Sequence, residues 1–101
     1  MNLRVHAEAE KELLKGATWY DERQSGLGEQ FIDEYQSAIL RILATPRSYA
    51  RISSARSRRN VRRCPLKRFP YFVAYELRDD LILVLAVAHA KRRPNYWIRR
   101  S

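Results

Sequence analysis

Cysteine is almost missing from this chain: Cys64 stands alone among 101 residues. A single thiol excludes an intramolecular disulfide and a four-thiolate zinc site. Flanked by apolar and basic residues, it reads as a small buried hydrophobe. Glycine and proline are also scarce, at three and four residues, and the chain has no low-complexity tract and no internal repeat. Long apolar runs are lacking as well. The longest, LILVLAVA at 81–88, falls far short of the roughly 18 residues needed to span a bilayer. The opening MNLRVHAEAEKELL has neither the apolar core nor the small-residue cleavage site of a signal peptide. The expectation is a cytoplasmic protein with no membrane association. His6 and the acidic residues do not cluster at metal-ligand spacing, so no metal and no cofactor are expected. Gly26-Leu27-Gly28 lacks the longer glycine spacing and the Lys-Ser/Thr pair of a phosphate-binding loop.

Acidic residues are short in one half only. Residues 1–50 carry six Lys/Arg and eight Asp/Glu, a net of −2, whereas residues 51–101 carry fourteen and three, a net of +11. Together these give the overall +9. Such asymmetry produces a field that draws phosphate or an acidic partner toward the C-terminal half.

What is present suffices for a folded core. Hydrophobic residues make up 46% of the chain and aromatic ones 11%, which argues against disorder. At this length residues 1–101 are expected to form one domain that buries roughly 60–70% of its unfolded-chain surface. NLRVH (2–6) alternates as a short strand. Ala9, Leu13, Ala17 and Tyr20 then recur at helical spacing, with Glu8, Glu12, Lys15 and Asp21 on other faces. This helix ends near Gln24-Ser25-Gly26. A second helix shows Phe31, Tyr35, Ala38, Ile39, Ile42 and Leu43 on one face and stops at Thr45-Pro46, since the residue before proline disfavours helical angles. Residues 47–59 read as a connecting loop rich in Arg and Ser.

Three strands follow. Val61 to Leu66 is short. Phe69 to Leu77 alternates, with Phe69, Tyr71, Val73, Tyr75 and Leu77 on one face and Phe72, Ala74 and Glu76 on the other. Arg78-Asp79-Asp80 is a hairpin turn, and Leu81 to Ala88, apolar throughout, is a central strand covered on both faces. The predicted architecture is α+β: an N-terminal strand, then an antiparallel two-helix hairpin packed on a small, twisted, mainly antiparallel sheet.

Several strings, in this order, resemble the RelE/ParE toxin superfamily, and more closely its ParE-like branch. They are Trp19-Tyr20, Gly26-Leu27-Gly28 with Phe31, Pro46, Arg68-Phe69-Pro70-Tyr71 with Tyr75, and Ala86-Val87-Ala88-His89 followed by Arg92, Arg93, Pro94, Tyr96 and Trp97. The resemblance covers nearly the whole chain. It implies the toxin of a type II toxin–antitoxin system, forming a hetero-oligomer with a cognate antitoxin that neutralises it. ParE-like toxins poison DNA gyrase, whereas RelE-like ones cleave ribosome-bound mRNA without metal.

Metal-free RNA cleavage needs a base, an acid and cations for the phosphorane. His89 suits the base and Tyr96 the acid, or a stacking partner for a splayed base. Arg63, Arg68, Arg92 and Arg93 suit phosphate. RelE-like enzymes, however, place lysines beneath the substrate, and here only Lys67 and Lys91 break a run of arginines, which cannot lose a proton. The expectation is therefore a ParE-like binding inhibitor. Its target or nucleic-acid contacts would come from Arg62, Arg63, Lys67, Arg68, His89, Arg92, Arg93 and Tyr96. His89 and Tyr96 are catalytic only in the alternative, a metal-independent endoribonuclease. A basic nucleic-acid-binding module explains the charge but not the ordered strings. Arg56, Arg58, Arg59, Arg62 and Arg63 around one strand, with Lys67-Arg68 and residues 91–93, predict a cationic rim. Trp97 is expected to fold back on the sheet, Tyr71 and Tyr75 to pack in the core, and Glu8, Glu10 and Glu12 to form a solvated helix face. The antitoxin is expected to supply an extended acidic and apolar segment, folding as it binds, over the hairpin and the rim.

Overall fold

A computed structural model describes residues 1–52, 58–93 and 95–101. Arg56 and Pro94, both invoked from sequence, lie outside the described residues. The elements run β1 (Asn2–Val5), α1 (Ala7–Arg23), α2 (Leu27–Ala44), β2 (Val61–Pro65), β3 (Tyr71–Arg78) and β4 (Leu81–His89). The sheet order is β1-β4-β3-β2. β1 runs parallel to β4, while β2, β3 and β4 are antiparallel neighbours. The α+β architecture follows the expectation, with the helical hairpin on one face of the sheet.

Local chemistry accounts for the element ends. His6 caps α1, its Nδ1 accepting the Glu8 backbone N–H at 3.1 Å. Between the helices Gly26 takes φ +88°, open to glycine without a Cβ penalty. Asp21 Oδ1 accepts the N–H groups of Gly26 at 2.9 Å and Gly28 at 3.3 Å, tying the link to the end of α1. β3 begins at Tyr71, later than the alternation from Phe69 suggests, because Arg68 adopts φ 70° and bends the chain before it.

The core has two layers. On the helix side Phe31, Ile42, Val73, Tyr75 and Val84 are buried together. On the opposite face Leu83, Leu85, Ala86 and Ala88 are buried under Trp97 and Ile52. Trp97 does fold back on the sheet, 3% exposed. Leu85 and Ala86 share one face although they are consecutive. The reason is a register shift: Ala74 opposes Ala86 and Tyr75 opposes Val84, which leaves Leu85 as an extra residue on β4.

This bulge matters for the edge of β4. β1 pairs only as far as Val5 opposite Val84, so residues beyond Val84 have no strand on that side. Two side chains take the strand's place. Glu12 Oε1 accepts the Val87 N–H at 3.1 Å, and Arg100 Nη1 donates to the Leu85 carbonyl at 2.9 Å.

Candidate functional site

Glu12 is the hub of a polar cluster between α1 and the tail. Besides Val87 N–H, its carboxylate accepts from Tyr96 Oη at 2.5 Å and Arg100 Nη1 at 2.8 Å, with Arg92 Nη1 at 3.5 Å. Its side chain is only 13% exposed. The reading of Glu12 as part of a solvated face is overturned; Glu8 and Glu10 are exposed as expected. Spacing holds the signal that was missed. Glu12 lies one turn after buried Ala9 and one turn before buried Gly16, so it belongs to the stripe that faces the sheet.

The tail is fixed by this cluster. Arg92 lies 3.8 Å over the Tyr96 ring and Arg100 5.2 Å from it. Burial, the hydrogen bond to Glu12 and that group's negative charge together hold the Tyr96 phenol far above its ordinary ionisation range. Tyr96 is thus a fixed donor to Glu12 and a poor source of protons for a leaving group. A second carboxylate anchors the tail from the other side. Buried Glu76 accepts from Arg59 at 2.9 and 3.0 Å and from Arg78 at 2.8 Å. Arg59 also donates to the carbonyls of Ile98 and Arg100. Burial alone would raise the Glu76 pKa, but the hydrogen bonds and charges of Arg59 and Arg78 outweigh it and lower it.

Beside Glu12 opens a cleft of about 360 Å³ between α1 and the end of β4. Lys15, Trp19 and Tyr20 line it from α1, and Tyr71, His89 and Arg92 from the sheet end. His89 sits edge-on to Tyr71 at 5.1 Å between ring centres. Its Nδ1 accepts the Lys91 backbone N–H at 3.0 Å, leaving Nε2 as the second ring nitrogen. Of the residues expected at the site, Arg92 and Tyr96 therefore meet the Glu12 carboxylate, and His89 lines the cleft beside it.

The others are spread more widely. Arg63 is exposed and borders a smaller pocket of about 200 Å³ that it shares with Arg92, Phe72 and Trp97. Lys67 and Arg93 are exposed without ion pairs among the described residues. Lys67 and Arg68 lie in the β2–β3 turn, which meets the end of β4 where Ala90 N–H donates to the Pro70 carbonyl at 2.8 Å. Arg68 turns to α2, donating to Gln30 Oε1 at 2.6 Å with Glu34 4.0 Å away. The Arg62 guanidinium is occupied within the fold: it donates to Asn60 Oδ1 and to the carbonyls of Arg47 and Tyr49. The arginine excess thus serves two ends. Arg59, Arg62 and Arg100 hold loop and tail in place, while Arg63, Lys67, Arg92 and Arg93 face solvent.

A family model described as the ParE toxin of the type II toxin–antitoxin system parDE matches residues 3–94. The chain belongs to the ParE toxin family. It is accordingly a toxin of a type II toxin–antitoxin system, with a cognate antitoxin as its partner. Toxin ParE2 of Mycobacterium tuberculosis, in strains CDC 1551 / Oshkosh and ATCC 25618 / H37Rv, is 29% identical over 94 residues, 92% of this chain and 85% of the relative. A solved chain from the chromosomal ParDE system of P. aeruginosa has the same fold, with a TM-score of 0.66 at 17% identity over 90% of this chain and 97% of that one. Like the sequence, the described structure contains no helix long and apolar enough to cross a membrane.

Proposed function

We propose that this ParE-family toxin arrests growth in the cytoplasm by gripping an essential target, DNA gyrase being the candidate. The grip is the sheet end that presents His89, Arg92, Arg93, Arg63 and Lys67. The observation that carries this reading is the Tyr96–Glu12 hydrogen bond of 2.5 Å. It commits the tail tyrosine to a carboxylate and suppresses its ionisation, so Tyr96 serves as a fixed donor while the surface offers cations and rings for binding. The antitoxin neutralises the toxin by covering this end with acidic residues. Its apolar residues fit the groove of about 500 Å³ between α1 and α2, where Leu14 and Ile32 are edged by Asp21, Glu22 and Glu29. That acidic edge disfavours carboxylates there.

One observation supports an endoribonuclease as the second reading: His89 shares its cleft with Lys15 and Arg92, a base beside two cations. Induction of the toxin without its antitoxin separates the two. Inhibited supercoiling by purified gyrase together with intact messages supports the gripping toxin. Messages cut on induction, with cutting abolished in His89→Ala, would establish the nuclease and overturn the first reading.

A further inference from the structure

Trp19 is 49% exposed on α1, an unusual place to leave an indole. It is nonetheless held in position: the Arg23 guanidinium lies 3.7 Å over the ring, and Tyr20 meets it edge-on at 5.0 Å. Across the cleft Tyr71 and His89 contribute two more rings. The rim carries two cations. Lys15 has no ion pair among the described residues, and Arg92 makes only the 3.5 Å contact with Glu12 while its plane is fixed on Tyr96. Glu12 is the one acid among the described lining residues, and Arg100 neutralises it at 2.8 Å. The result is a small site with aromatic walls and a positive mouth, at about 360 Å³ within the usual range for small-ligand sites.

We propose that this cleft is a nucleotide site. It takes one unpaired base of a single-stranded nucleic acid against Trp19 and Tyr71, and the adjoining phosphate on Lys15 and Arg92. Every base presents a π-face, and arginine and lysine at the mouth match its phosphate. An extended peptide suits the cleft less well. Its backbone would need partners along β4, but Val87 N–H is already taken by Glu12 and the Leu85 carbonyl by Arg100. The site shares His89 and Arg92 with the gripping surface proposed above, adds Lys15, Trp19 and Tyr71 to it, and stands whether or not that surface meets gyrase.

The test is fluorescence anisotropy of purified toxin with short labelled single-stranded DNA and RNA oligonucleotides, and with duplexes of the same length, at graded salt. Single strands are expected to bind more tightly than duplexes. Trp19→Ala should weaken them by about 10–100-fold, and Lys15→Ala should reduce the salt dependence. Arg99→Ala, at an exposed position outside the cleft, should leave the single-strand preference intact. Because Trp19 and Lys15 are exposed, thermal melting of these variants should match the parent. Equal affinity for single strands and duplexes, undiminished in Trp19→Ala, would show that net charge alone binds and would overturn the proposal. So would protection of Trp19 by the antitoxin's acidic segment with no single-strand binding by the free toxin.

Discussion

Glu12 and Arg100, eighty-eight positions apart, meet through two hydrogen bonds of 2.8 and 3.3 Å. The pair closes the molecule: one partner comes from the first helix and the other from the tail, and both also satisfy the unpaired edge of β4. Removing the charge leaves Arg100, 18% exposed, without its counter-ion. Glu12→Gln is expected to cost about 2–3 kcal/mol, as for hydrogen bonds to charged groups. For a domain of this size that lowers Tm by about 10 °C or more. Hydrogen exchange should quicken first at residues 95–101. An unchanged Tm with unchanged tail protection would show that Trp97 and the Arg59 bonds to the Ile98 and Arg100 carbonyls secure the tail without the Glu12 charge.

Why the pair escaped the sequence reading is physical. Helix spacing exposed the apolar stripe of α1 through Ala9, Leu13 and Ala17, and the hairpin, the central strand and the turn at Asp79 were all legible from period and turn chemistry. A carboxylate on the same stripe looks identical to a solvated one until its partner is known, and that partner lies in the tail. The bulge at Leu85 was equally hidden, because an apolar run has no alternation to interrupt. At the site, His89, Arg92 and Tyr96 were readable as types. The sorting of arginines into structural and exposed ones was not, since that depends on which carbonyls the fold leaves without donors.

Glycine tolerance should differ sharply within one motif. A Cβ on Gly28 would lie 2.4 Å from the Ala17 carbonyl oxygen, whereas one on Gly26 meets nothing within 4 Å. Gly28→Ala forces α1 and α2 apart and is expected to cost about 3 kcal/mol, the upper part of the range for overpacking. Gly26→Ala faces only its φ of +88° and should cost about 1–2 kcal/mol. Urea denaturation of both variants measures this; equal losses would mean that the helices slide to accommodate the methyl group.

Acid should unfold the protein partly through Glu76. Its pKa is lowered in the folded state, below the ordinary value of about 4.3. The stabilisation is therefore complete at neutral pH, and it fades as pH falls through the ordinary carboxylate range toward the folded value. Glu76→Gln should be less stable at pH 7 and show a shallower decline below pH 5. Parallel acid limbs for the two proteins would remove Glu76 from the transition.

Alkali probes the opposite sign. Burial is the main cause that pushes the Tyr75 phenol up to about 12, with the charge of Cys64 adding to it, and its hydroxyl donates to the Pro46 carbonyl at 2.7 Å. A raised folded pKa means stability that is intact below about 10, the unfolded value, and is lost as pH climbs toward 12. Ultraviolet titration should show Tyr75 ionising together with unfolding, and Tyr75→Phe should remove that component. Ionisation near pH 10 with the fold intact would contradict the buried placement.

Arg62 and Arg63 are neighbours in sequence with opposite expected roles. Arg62 reaches the carbonyls of Arg47 and Tyr49 at 2.7 and 2.8 Å, pinning the chain that leaves α2, so Arg62→Ala should cost about 1–2 kcal/mol in stability. Arg63 points to solvent with its guanidinium 5.9 Å from the Phe72 ring; Arg63→Ala should stay within about 0.5 kcal/mol of the parent. Function should divide the other way. Arg63→Ala is expected to weaken target binding and flatten its salt dependence, because an exposed cation contributes through screened charge. Arg62→Ala, assayed well below its Tm, should bind nearly as the parent does. Stability, and inhibition of the proposed target gyrase, measured on both variants check the division. If Arg62→Ala loses inhibition while remaining folded, its guanidinium leaves the loop carbonyls to meet the target, and the assignment of Arg62 to the scaffold fails.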